Sequence, residues 1–133
     1  MPSEPFWLSR DDLIDLNRLI VEGTGEPFAV IKPNELESAC ARPRNLWAYG
    51  EKRLAHLATA LITGVSRNHP FAQGNKRTAF ASALIFFQNN GWYLDMPDGD
   101  AFGLMVEELI LGRLSEEEFA NEIDQYLVDM LHF

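Results

Sequence analysis

Cysteine is almost missing: Cys40 stands alone among 133 residues, so no disulfide closes within the chain and packing has to hold the fold. Set among Ser38, Ala39 and Ala41, it reads as a small buried filler rather than a reactive thiol. Long apolar runs are missing too. The segment Ala79 to Phe87 is interrupted by small and polar residues and is far shorter than the roughly 20 residues a bilayer span requires. Met1-Pro2-Ser3-Glu4 lacks the basic start and apolar stretch of a secretory signal. No membrane partner is expected, and the expected location is cytoplasmic. Positive charge is scarce from Asp95 onward, where Arg113 alone faces eleven Asp or Glu; before Asp95, ten Lys or Arg meet nine acids. Nucleic-acid binders gain most of their non-specific affinity by neutralising phosphates, so this balance argues against direct nucleic-acid binding. Linkers rich in Pro, Gly or Ser, repeats and low-complexity tracts are absent, which predicts one domain over residues 1–133.

What is present is helical periodicity. Ser9 with Asp12 forms a capping-box pattern, and Leu13, Leu16, Leu19 and Ile20 share a face, predicting a helix from about Arg10 to Glu22. After Gly23 to Pro27, the apolar stretch Phe28 to Lys32 suits a short extended flap. Pro33-Asn34 restarts a helix through Cys40, and Arg42-Pro43-Arg44-Asn45 reads as a break. Leu54, Leu57, Ala58, Leu61, Ile62 and Val65 then mark a strong amphipathic helix. From Asn75 to Asn90, apolar residues cover most of the circumference, which predicts the most buried helix, stopped by Asn90-Gly91. Trp92-Tyr93-Leu94 reads as extended. Further helices are expected over about Asp100 to Leu111 and from the Ser115/Glu118 capping box to about Leu131. The predicted fold class is all-α, a compact single-domain helical bundle with a short extended flap.

Between the two strongest helices lies His69-Pro70-Phe71-Ala72-Gln73-Gly74-Asn75-Lys76-Arg77-Thr78. Gly74 permits angles that a side chain forbids, and the helix that starts after it presents free N–H groups and a positive dipole end to an anion. Lys76 and Arg77 put full positive charge in that first turn, unfavourable for an isolated helix unless an anion offsets it. His69, at the mouth of the loop, carries an imidazole of the kind that takes a proton from an attacking hydroxyl. Pro70 restricts His69 to extended angles, and Phe71 pins the loop to the core. Singly, each residue also has a plain reading: a hydrogen-bonded loop histidine, an Asn75 helix cap, two solvated cations.

Taken whole, the string resembles the motif of the Fic and Doc family: His-Pro-Phe, a variable residue, an acid, Gly, Asn, Gly or Lys, Arg. Glu35-Leu36-Glu37-Ser38-Ala39 with Arg42-Pro43, the helix leading to Asn68, and Thr78 to Gly91 resemble the Doc branch. That resemblance implies a helical toxin of a toxin–antitoxin module, restrained by a separate antitoxin protein, which modifies a protein hydroxyl with ATP and Mg2+. His69 would be the general base. Gly74, Asn75, Lys76 and Arg77 would hold the phosphates, with Lys76 and Arg77 also acting in catalysis, and Phe71 would be structural. Lys76 stands where AMP-transferring members usually carry Gly, so the resemblance favours phosphate transfer, implying a threonine of elongation factor Tu as target and arrest of translation. The flap at Phe28 to Lys32 lies where the family docks its target backbone. AMP transfer, or a catalytically weak or silent nucleotide- or antitoxin-binding relative, is the alternative, because Gln73 stands at the metal-holding acid. A ribonuclease has neither the spacing at Arg67-Asn68-His69 nor the charge. Trp92, Met96, Phe102 and Met105 are expected either in an antitoxin-docking surface or in the core.

Overall fold

A computed structural model of the chain describes residues 3–131. Six helices follow in order: α1 (Arg10–Gly23), α2 (Pro33–Ala48), α3 (Leu54–Asn68), α4 (Asn75–Asn89), α5 (Ala101–Ile110) and α6 (Glu116–Asp124). Two short strands, β1 (Trp92–Leu94) and β2 (Leu127–Asp129), pair antiparallel with Tyr93 opposite Val128. The all-α class holds. Both capping boxes form: Ser9 and Asp12 close the start of α1, and Ser115 and Glu118 that of α6.

The centre of the bundle is α3, a correction to the expectation that α4 is the most buried helix. Ala55 and every residue from Leu57 to Ser66 are buried, and α3 packs against α2, α4, α5 and α6. Its small residues explain this. A Cβ placed on Gly64 would lie 3.1 Å from the Cα of Ala39, so α2 and α3 meet backbone to backbone. On α4 the bulky Phe80, Leu84 and Ile85 are only half-buried.

Three further expectations are overturned. Arg42 to Asn45 do not break a helix; α2 runs through Pro43, whose ring is buried. An interior proline costs about 3 kcal/mol, and packing on both sides offsets it. Arg42 donates to Ala60 O and to the Thr63 hydroxyl on α3, and to Glu116 on α6 at 2.9 Å. Burial pushes the Glu116 carboxyl up, but its bonds to Arg42 and Thr63 prevail and hold it below the usual carboxylate range. The last helix stops at Asp124 instead of reaching Leu131, because Leu127 to Asp129 pair with β1. On α1 the buried stripe is Leu13, Asn17 and Val21, whereas Leu19 is 73% exposed.

Phe102 is buried, and Trp92, Met96 and Met105 pack half-buried against the core, which favours the core reading for these four. Cys40 is likewise half-buried, and burial pushes its thiol up to about 11. The first and last described segments meet at one turn: Asn90 accepts from Phe6 N and donates to Phe6 O, while Met130 N donates to Gly91 O. Among the described residues no helix is long and apolar enough to cross a membrane.

Candidate active site

The loop Asn68 to Gly74 is fixed from three sides. Below it, the Phe71 ring is 1% exposed in the core. Beside it, the flap is zipped on: Val30 bridges Phe71, Ile31 N donates to Pro70 O at 2.8 Å, and Ala72 N donates to Ala29 O at 2.9 Å. Ahead of it, the Asn75 side chain folds back on the backbone of Phe71, accepting from its N–H at 3.0 Å and donating to its carbonyl at 2.9 Å. Asn75 thus spends its amide on the loop and offers a ligand its own backbone N–H.

His69 is exposed at the C-terminus of α3. Its backbone is left-handed, with φ 49° and ψ 54°, and no other non-glycine among the described residues has positive φ. The expectation of extended angles from Pro70 is therefore corrected. The chain has to leave α3 and double back against the flap within two residues, and that reversal overrides the pre-proline preference. The conformation costs on the order of 1–2 kcal/mol.

Gly74 ends the loop at φ 75°. A Cβ there would lie 2.9 Å from Val21 Cγ1 and 3.2 Å from Asn17 Nδ2, so both backbone angle and space demand glycine. The first intrahelical bond of α4 runs from Thr78 N to Gly74 O at 2.8 Å, and no side chain caps the helix. The N–H groups of Asn75, Lys76 and Arg77 precede that bond, so the end of α4 is of the type that takes anions.

The two cations of this turn are each met by a carboxylate, which the sequence did not show. Lys76 Nζ lies 2.9 Å from Glu107 on α5, and Arg77 Nη2 lies 2.6 Å from Glu26 in the α1–α2 connection. Glu26 also accepts from the Thr24 hydroxyl; that bond, with Arg77 second, holds its carboxyl below the usual range. The anion predicted to offset Lys76 and Arg77 is thus supplied by the protein in part. Both pairs are well exposed, so solvent screens them and a phosphate can replace the carboxylates. Glu26→Gln should tighten pyrophosphate binding about two- to fivefold. Calorimetric titration checks this, and equal affinity would show that Glu26 does not compete.

Beside Lys76 and Arg77 opens a cavity of about 450 Å3 walled by Ile20, Phe80, Val106 and Ile110. A larger one of about 700 Å3 lies at the far end of α4, between Phe6, Trp47 and Trp92. Gln73 is exposed on the loop. Among the described residues no three His, Cys, Asp or Glu gather to hold a metal, and Glu26 and Glu107 are engaged by cations. Magnesium on a nucleotide takes one or two protein carboxylates together with phosphate oxygens, and at the loop position beside the phosphate-type helix start this chain offers the uncharged amide of Gln73 instead of a carboxylate.

Asn17 was missed by the motif. It is fully buried on α1, and its Nδ2 donates to Gln73 O at 2.8 Å and to Thr78 Oγ1 at 3.0 Å, gripping the loop from below. A polar residue midway between Leu13 and Val21, at helical spacing of four, was the available signal.

Residues 7–87 match the model of the Fic/DOC family. Toxin Doc of Mycolicibacterium smegmatis is 35% identical over 88 residues, covering 64% of this chain and 65% of the toxin, just under two thirds of its length. Protein kinase doc of Escherichia phage P1 is 31% identical over 85 residues, covering 63% of this chain and 68% of the kinase. The matched span contains α1, α2, α3, the loop from His69 to Gly74 and most of α4; the chain belongs to the Fic/DOC family.

Proposed function

We propose that the chain is a Doc-like toxin that transfers the γ-phosphate of ATP to a hydroxyl of a target protein. One observation carries this reading: a single rigid turn presents His69 at its mouth and the uncapped, cation-flanked start of α4 at its other end, with an extended flap zipped alongside. In this reading the phosphates lie on the backbone N–H groups at the start of α4 and on Lys76 and Arg77, which leave Glu107 and Glu26 to reach them. His69 takes the proton from the target hydroxyl as its oxygen bonds to the γ-phosphorus; the bond from that phosphorus to the β–γ bridging oxygen breaks, and ADP leaves. The apolar cavity beside Lys76 has the walls to receive an adenine ring. A threonine of elongation factor Tu as acceptor, translational arrest as outcome and a separate antitoxin as restraint complete the proposal; the likeness to a toxin and to a protein kinase supports its toxin and kinase parts.

The second reading, a nucleotide- or antitoxin-binding relative without turnover, is favoured by Gln73 and by the carboxylates already on both cations. The test incubates the protein with bacterial extract and ATP labelled at the α- or the γ-phosphate. Label on one extract protein from γ alone supports the kinase; label from α makes it an AMP transferase; ATP bound but no label leaves the binding protein. Gln73→Asp adds the charged oxygen the loop lacks. It should make ATP binding tighter with Mg2+ than with chelator, by about tenfold if one charged ligand contributes about 1.4 kcal/mol. A variant with no greater magnesium dependence than the wild type sinks that role for the position.

A further inference from the structure

The amide of Asn17 donates to two groups that flank the turn into α4, and one of them is a carbonyl. A backbone carbonyl only accepts, so the atom facing Gln73 O has to be the nitrogen. The peptide between Gln73 and Gly74 is planar and trans, as are all peptides among the described residues. In such a peptide C=O and N–H point in opposite directions. With Gln73 O drawn down onto Asn17, the Gly74 N–H is turned away from α1, out of the core and toward the open end of α4. The next peptide is set the same way: Gly74 O accepts from Thr78 N, so the Asn75 N–H points outward along the helix start. Two consecutive N–H groups then face the same side, as an anion requires.

Nothing else described ties down the first of these peptides. Gly74, with its wide freedom, would let the Gln73–Gly74 plane rotate and present the carbonyl to a phosphate. Asn17 also bears a cost. Its Oδ1 is buried without a hydrogen-bond partner, a loss on the order of 1–3 kcal/mol for a position where leucine would continue the stripe of Leu13 and Val21. A polar residue kept at such a cost in the core fits a task outside packing.

We infer that Asn17 is a positioning residue: from α1 it locks the peptide plane at Gln73–Gly74 so that the turn into α4 presents N–H groups to the phosphates of a nucleotide. This rests on the reading of the loop as a phosphate site and deepens it, by naming what shapes that site from beneath. Asn17 touches no ligand and acts through the backbone of Gln73.

The test measures binding of ATP, and of inorganic triphosphate as a base-free probe, to the full chain by calorimetry, with thermal unfolding recorded in parallel. Asn17→Leu removes the donor and the orphan oxygen together, so its unfolding midpoint should stay near that of the wild type. Both anions should bind about ten- to hundredfold more weakly, the effect of losing one or two oriented donors to a charged group. Asn17→Ser, too short to reach Gln73, should show the same loss and stands in if the leucine variant does not fold. Thr78→Val removes the other acceptor of the same amide and should leave affinity unchanged. In an amide NMR spectrum the Gly74 resonance should move in both Asn17 variants and not in Thr78→Val. Wild-type affinity in folded Asn17→Leu or Asn17→Ser overturns the inference. Failure of the wild type to bind either anion overturns the phosphate reading itself, a separate outcome.

Discussion

His69→Ala should lower phosphate transfer by about 10^2 to 10^4-fold, the usual worth of a positioned general base, while leaving ATP affinity within a factor of about two. The separation follows from the architecture. His69 belongs to the C-terminus of α3, whereas the proposed phosphate contacts belong to the start of α4, and the Asn75 side chain ties the turn between them to the backbone of Phe71. Because alanine, like histidine, has a Cβ and gains no ease in the left-handed region, the substitution removes the imidazole without relieving backbone strain. Initial rates with labelled ATP and an equilibrium titration on the same preparation check both halves. A rate within threefold of the wild type would remove His69 from the chemistry; a matching collapse of affinity would make it a binding residue.

Phe71→Ala should destabilise the fold by about 3–5 kcal/mol, the range for truncating a buried aromatic. That is a large share of the roughly 5–15 kcal/mol available to a domain. The ring is 1% exposed and belongs to the main core cluster, while its backbone is bound on both sides, by Val30 of the flap and by the amide of Asn75. The cavity would therefore open beneath the one segment that joins flap, loop and α4. Denaturant unfolding should show the lower midpoint, and amide exchange at Ile31 and Ala72 should accelerate beyond that in α6. A loss below about 1 kcal/mol would mean that the loop closes over the gap and that Phe71 is not its anchor.

The helices that could be read from the sequence are those whose signals are local. Capping at Ser9 and Ser115, the apolar repeat from Leu54 to Val65 and the stop at Gly91 each depend on neighbours in the chain, and each stands. What could not be read depends on partners far away. Pro43 continues a helix because Arg42 is anchored on α3 and α6, and Leu127 to Asp129 extend because β1 offers an edge some 35 residues earlier. The site divides along the same line. His69, Phe71, Gly74, Lys76 and Arg77 sit in one contiguous motif and could be named together. Glu26, Glu107 and Asn17 touch that motif from other helices or connections and carry no pattern of their own, apart from the interruption Asn17 makes in an apolar stripe.

The junction at Asn90 and Gly91, where Phe6 and Met130 are tied, fixes how this domain can be handled and elaborated. It lies at the opposite end of α4 from Gly74, and 15 helical residues at 1.5 Å each separate the two by roughly 22 Å. Chain added before Phe6 or after Met130 would therefore enter at the pole remote from His69. A fluorescent reporter or surface tether joined there would leave the His69 loop and the flap facing solution.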